Sequence, residues 1–203
     1  MSVIYRSILD KVGVGLLCLT LLSLACNPLG ILTSSTGIED NDRGVDNEEQ
    51  GQTELAIADY DEAIALDPQD ADAYANRGVA YLEKGNYDQA IDEFDEAIAL
   101  DPQFAEAYGN RGNAYFDKGD YDRAIANYDQ AIALEPQFAD AYNNRGNAYH
   151  NLGDYDQAIA DYDEAIALDP QFAKAYNNRG NAYLDKGDYD HAIADSASGL
   201  LRS

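Results

Sequence analysis

The sequence predicts an all-α protein, a solenoid of stacked helix-turn-helix units, and three observations carry that expectation. An acid precedes proline at Asp67-Pro68, Asp101-Pro102, Glu135-Pro136 and Asp169-Pro170, each pair 34 residues after the last. Residues 105–138 and 139–172 are identical at 25 of 34 positions. Between these marks apolar residues recur at three- and four-residue steps, as Tyr87, Ala90, Ile91, Phe94, Ala97 and Ile98 do, which makes one face of a helix. A fixed period of this length marks two-helix units that bury their apolar faces against neighbours.

The chain has 203 residues, with 38 acids against 13 bases and a formal net charge of −25. Phosphate backbones repel such a chain, so nucleic acid is excluded as a partner. Its apolar content of 46% separates it from an acidic disordered tail. Both cysteines, Cys18 and Cys26, fall within the first 26 residues, so no disulfide staples the remainder. His150 and His191 have no acid, thiol or second histidine at ligand spacing on the same face, which leaves no metal site and no cofactor to expect. No nucleophile–base pair or phosphate-cradling glycine loop is present, so the expectation is not an enzyme.

Residues 1–25 read as a signal peptide. Arg6 and Lys11 precede Val12 to Ala25, an uncharged and largely apolar run of 14 residues. That is the pattern of an export leader, and it falls short of the ~20 residues that cross a bilayer as a helix. Ser23-Leu24-Ala25-Cys26 resembles the lipobox of bacterial lipoproteins, although Leu is displaced from the place that family prefers. The resemblance implies lipid on the Cys26 thiol and a chain tethered to the cell envelope of a bacterium. Plain cleavage after Ala25, giving a secreted chain, and a retained anchor are the other readings.

Residues 26–52 are rich in Gly, Ser, Thr and Asn and then acidic, without apolar periodicity, and read as a flexible tether. Asp40-Asn41-Asp42-Arg43-Gly44 is similar to the opening of a calcium loop, but its glycine stands fifth and an arginine precedes it. Projecting the period backwards places Arg43-Gly44 on Arg77-Gly78, and Ala56, Tyr60 and Ala63 on Ala90, Phe94 and Ala97. Residues 53–70 are therefore read as a half repeat whose first helix has eroded.

Full repeats follow at 71–104, 105–138 and 139–172. Gly85-Asn86 and Gly119-Asp120 end one helix and cap the next, and Asp154 to Gln157 has capping-box spacing. The Asp-Pro pairs stop the second helices, because proline lacks an N–H and disfavours helix at the residue before it. Residues 173–203 keep Tyr176, Gly180, Tyr183 and Ala192 in register, but Ser196 and Gly199 replace an aromatic ring and an alanine. No polar cap follows, so Ile193, Leu200 and Leu201 are expected to stay exposed, and self-association or a covering partner is expected at this end.

Tyr74, Gly78, Tyr81, Ala90, Phe94, Ala97 and Pro102 return one period later as Tyr108, Gly112, Tyr115, Ala124, Tyr128, Ala131 and Pro136. This signature resembles the tetratricopeptide repeat family from about 55 to about 195. The resemblance implies a right-handed superhelix whose first helices line a concave face that holds a protein or peptide ligand. Carried over by register, the groove residues are Val79, Leu82, Asn113, Phe116, Asn143, Asn147, His150, Asn177, Asn181 and Leu184. Asn113, Asn147 and Asn181 recur one repeat apart, suited to an extended backbone or, equally, to bonding the adjacent helix. Asp72, Glu83, Glu106, Asp117, Asp140 and Asp185 share that face with Lys174, which favours a neutral or basic segment over an acidic one.

Arg77, Arg111, Arg145 and Arg179 stand where the family carries Leu. Each guanidinium either finds neighbouring carboxylates or joins a ladder for an anionic ligand. The expected function is a non-catalytic scaffold or adaptor at the bacterial cell envelope. An accessory subunit of an envelope enzyme complex and a self-associating array are the alternatives.

Overall fold

A computed structural model describes residues 36–202; the leader and Cys26 lie outside them. Ten helices follow one another: α1 (Gly37–Glu49), α2 (Thr53–Leu66), α3 (Ala71–Glu83), α4 (Tyr87–Leu100), α5 (Ala105–Asp117), α6 (Tyr121–Leu134), α7 (Ala139–Leu152), α8 (Tyr155–Leu168), α9 (Ala173–Lys186) and α10 (Tyr189–Leu200). Among the described residues there is no strand. The helices pair into five hairpins, and each hairpin packs on the next. The all-α solenoid expected from the period is the fold.

Local chemistry sets the reversals. Within each hairpin the chain turns at Gly51, Gly85, Gly119, Gly153 or Gly187, with φ between 71° and 87°, a left-handed conformation that side chains disfavour. Asp120, Asp154 and Asp188 then accept the N–H of the third residue of the helix that follows. Asn86, expected to cap in the same way, makes no such side-chain bond. Between hairpins, the carboxylates of Asp67, Asp101 and Asp169 reach across proline to the N–H groups of Gln69, Gln103 and Gln171 at 2.9–3.0 Å. The aspartate before each of these three prolines thus builds the turn as well as ending the helix.

The core is mostly alanine, which lets helices approach closely. First helices turn alanines to the preceding hairpin: Ala80 meets Ala56 and Tyr60, Ala114 meets Ala90, Ile91 and Phe94, and Ala182 meets Ala158, Ile159 and Tyr162. Inside a hairpin a ring packs against glycine. A Cβ added at Gly78, Gly112 or Gly146 would stand 2.6–2.7 Å from the ring of Phe94, Tyr128 or Tyr162.

Two expectations are corrected. Residues 37–49, assigned to the tether that was to run through residue 52, are helical, so 53–70 is the second half of a complete hairpin. Gly44 seats the Tyr60 ring, and Arg43 Nε donates to Asp59 at 2.6 Å. The missing apolar pattern has a physical reason. Glu39 and Asp46 occupy the stacking positions that are alanine in later first helices, and no hairpin precedes this one among the described residues. The calcium-like stretch lies inside α1, where Asp40 is buried and accepts from Arg43 Nη1 at 2.6 Å.

At the other end α10 forms despite its small residues. Gly199 leaves room for the Asn177 side chain, which a Cβ there would push aside. Ser196 turns back on its own helix and donates to the Ala192 carbonyl at 2.9 Å.

Candidate functional site

The first helices α3, α5, α7 and α9 carry two adjoining cavities. One, of about 310 Å³, is lined by Leu82, Asn113, Phe116, Asp117, Tyr128, Asn144, Asn147 and Lys174. The other, of about 340 Å³, shares Asn113, Tyr128 and Asn144 and adds Glu106, Gly109, Asn110, Phe138, Asp140 and Ala141. Of the residues expected in the groove, Leu82, Asn113, Phe116 and Asn147 are brought together here. Phe116 is held edge-on by Tyr121, with ring centroids 5.4 Å apart.

The asparagines are oriented by the helices behind them. Tyr128 Oη donates to Asn113 Oδ1 at 2.8 Å, and Tyr162 Oη donates to Asn147 Oδ1 at 2.8 Å. Burial pushes both tyrosine hydroxyls above their usual range, so they remain protonated donors. With their oxygens taken, the two amides are left with N–H groups to offer. Asn147 Nδ2 has no partner among the described residues, and Asn113 Nδ2 has only a long contact of 3.5 Å to Asn110.

The other expected residues lie elsewhere. Asn143 is fully buried; its Nδ2 donates to Asn144 Oδ1 at 3.1 Å and its oxygen accepts from Asn178 at 2.9 Å. It ties α7 to α9 and does not face a ligand. Asn177 packs against Gly199, and Val79 is packed into the Ile91 and Phe94 cluster. His150 Nε2 lies 2.9 Å from an Asp185 carboxylate on the next hairpin, beside the Tyr155 ring. Asn181 and Leu184 are exposed, and Asn181 lacks a tyrosine behind it because Ser196 stands there.

Sequence reasoning missed Tyr128, Asn110 and Asn144 as lining residues. The available signal was Asn76, Asn110, Asn144 and Asn178, one period apart. Asn76 and Asn178 donate to Asn41 and Asn143 in the hairpin before. Asn144 donates instead to Asn113 at 3.1 Å, because Gly109 stands where those acceptors would be. The groove's electrostatics are uneven. Its walls push the Asp117 carboxyl up by desolvation, and neither Asp117 nor Lys174 has an ionic partner among the described residues.

The four arginines are spoken for. Arg77 bonds Asp61 at 2.5 Å and Glu93 at 2.7 Å; Arg145 bonds Asp129 at 2.6 Å and both oxygens of Asp161 at 2.6 and 2.9 Å. Arg111 joins Asp95 to Asn127, and Arg179 joins Asp163 to Asp195. Each guanidinium therefore ties its own hairpin to the one before, over a tyrosine one turn earlier in its helix. The carboxylate reading holds, and no cation ladder is left for an anionic ligand.

A family described as TPR repeat matches residues 49–85, 80–119, 112–153 and 146–187. Among solved structures, "Crystal structure of MamA" is 32% identical, covering 78% of this chain and 93% of that one, with a TM-score of 0.70. The thermophilic TPR protein TTC0263 of Thermus thermophilus is 24% identical over 82% of this chain and 91% of its own, with a TM-score of 0.70. Pseudomonas aeruginosa pilF is 20% identical over 82% and 76%, with a TM-score of 0.76, a likeness of fold. No curated protein sequence matches the chain.

Proposed function

The chain belongs to the tetratricopeptide repeat family, and we propose from that premise that it is a non-catalytic scaffold that holds an extended polypeptide segment along α3, α5, α7 and α9. The observation that carries this reading is the fixing of Asn113 and Asn147 by Tyr128 and Tyr162, each at 2.8 Å. Amide N–H groups presented one repeat apart suit the carbonyls of an extended backbone and make no demand on its side chains. Leu82 and Phe116 supply apolar contact beside them. Glu106, Asp117 and Asp140 line the same cavities and favour a neutral or basic segment over an acidic one.

Calorimetric titration of the full chain with three peptides, matched in length and differing only in charge, tests the reading. The neutral and basic peptides bind, and the basic one weakens as salt rises. Preferential binding of the acidic peptide overturns the proposal.

The same proposal places the scaffold at a bacterial cell envelope, tethered through lipid on Cys26. Its support is the pattern of the leader: the basic start, the 14-residue apolar run and the cysteine directly after Ala25. Labelled fatty acid then enters the wild-type chain and not Cys26→Ser. Equal labelling of both rejects the tether and leaves the groove untouched.

A further inference from the structure

We propose that two copies of this chain associate tail to tail, through the outer face of α10. The face is the one on which every earlier hairpin receives its neighbour. Ile91 and Ile159 are each 8% exposed because Ala114 and Ala182 of the next first helix cover them. Ile193 is the same position one or more periods on, and it is 69% exposed. Tyr189, Leu200 and Leu201 are exposed beside it. Tyr189 and Leu200 are likewise open where Tyr155 and Ile166 are half-buried, so this face is a contact surface with its occupant missing.

Three observations select a second copy, in this orientation, as the occupant. First, another hairpin of the same kind does not fit. Each inter-hairpin arginine needs the acid at Asp61, Asp95, Asp129 or Asp163, and at that place α10 carries Ala197. Second, the opposite end of the stack cannot be the partner. Where covered first helices present alanines, α1 presents exposed Glu39 and Asp46, and seating those on Ile193 would bury carboxylates against an apolar stripe. Head-to-tail chains are thereby disfavoured, and a closed two-fold contact is what remains.

Third, among the repeats charge opposes approach least here. Residues 173–203 hold four bases and four acids, so the last repeat is formally neutral in a chain whose net charge is −25. Two copies repel each other less at this repeat than along the rest of the stack, because Lys174, Arg179, Lys186 and Arg202 offset Asp185, Asp188, Asp190 and Asp195. Ala197, exposed where earlier second helices carry Asp61, Asp95, Asp129 or Asp163, keeps the face low, so two such helices can lie close across a two-fold axis.

Cross-linking of the full chain tests both the contact and its orientation. In a background with Cys18 and Cys26 changed to Ser, a single cysteine is placed by Ala197→Cys or by Val45→Cys, and a short bismaleimide is added. Ala197→Cys gives a linked dimer, Val45→Cys at the other end does not, and adding Ile193→Glu to Ala197→Cys abolishes the product. Sedimentation of the uncross-linked chain gives a reversible dimer that Ile193→Glu converts to monomer. The proposal is overturned by equal linking through Val45→Cys, by no linking through Ala197→Cys, or by association that Ile193→Glu leaves unchanged. Association that is unchanged by Ile193→Glu assigns the contact to another segment, and a strict monomer assigns the face to a different partner.

Discussion

The hydroxyl of Tyr162 donates to the side-chain oxygen of Asn147 at 2.8 Å, across the two helices of one hairpin. Tyr128 and Asn113 repeat the pair. In the hairpin before them the corresponding residues are Phe94 and Val79, which pack against each other's cluster with no polar atom between them. The hydroxyl and the amide thus occur together or not at all in these three hairpins.

Removing one member alone leaves a polar group without its partner. Asn147→Val is expected to cost about 1–2 kcal/mol, and Tyr162→Phe about 1 kcal/mol. The double variant rebuilds the Val79–Phe94 arrangement and is expected to recover most of the loss, a coupling that a double-mutant cycle in urea measures. Additive losses would show that the hydrogen bond does not orient the amide.

Glycine tolerance should split along the stack. A Cβ at Gly146 would stand 2.7 Å from the Tyr162 ring, whereas one at Gly180 meets only ordinary contacts at 3.4 Å and beyond. Gly146→Ala is therefore expected to destabilise by about 1–3 kcal/mol. Gly180→Ala, in a helix interior with room, is expected to stabilise by about 0.5–1 kcal/mol. Thermal melts of the two variants decide it, and the same sign for both would contradict the packing described.

The arginine ties differ in burial and should differ in worth. Arg145 is largely covered and its partner Asp161 is buried, whereas Arg123 is 68% exposed and its partner Asp120 39%. Arg145→Ala strands a buried acid and is expected to cost about 2–3 kcal/mol, below the loss for a fully enclosed pair. Arg123→Ala is expected to cost less than about 1 kcal/mol. Replacing Arg145 and Asp161 together by Met and Leu should recover stability. Denaturant titration provides the readout.

Asp117 makes the groove sensitive to acid. Desolvation raises its carboxyl above the ordinary range in the folded chain. The folded state therefore holds that proton more tightly than the unfolded one, and the group's contribution to stability, full below the ordinary carboxylate pKa, is lost as pH rises through the folded value. Asp117→Asn should raise the melting temperature at pH 7 and leave it unchanged in strong acid. A basic peptide favours the ionised form, so its affinity should grow as pH rises through the same value and flatten in Asp117→Asn. A pH series of titrations that gives the same slope for both proteins would exclude Asp117 from the site.

The period and the turns were both legible in the sequence, because each rests on residues that recur at a fixed spacing. The first hairpin was only half legible. Its α1 replaces the stacking alanines by Glu39 and Asp46, so the apolar period vanishes although Gly44 and Tyr60 still pack. In the groove, register identified Leu82, Asn113, Phe116 and Asn147, but it could not tell which asparagines are consumed by neighbours. Asn143 looks like Asn147 in the sequence, yet burial and the bond from Asn178 take it out of reach of a ligand. That difference depends on which hairpin neighbour offers an acceptor, a property of the stack and not of the repeat.

The side-chain amides themselves provide the most direct test of the groove. In an NMR titration of the full chain with a neutral or basic extended peptide, the Nδ2 resonances of Asn113 and Asn147 and the ring signals of Phe116 should shift together and saturate at one stoichiometry. The guanidinium signals of Arg111 and Arg145, bound into the inter-hairpin ties, should stay in place. Shifts confined to the second helices α4, α6 and α8, with Asn113 and Asn147 unmoved, would contradict the claim that the first helices hold the ligand.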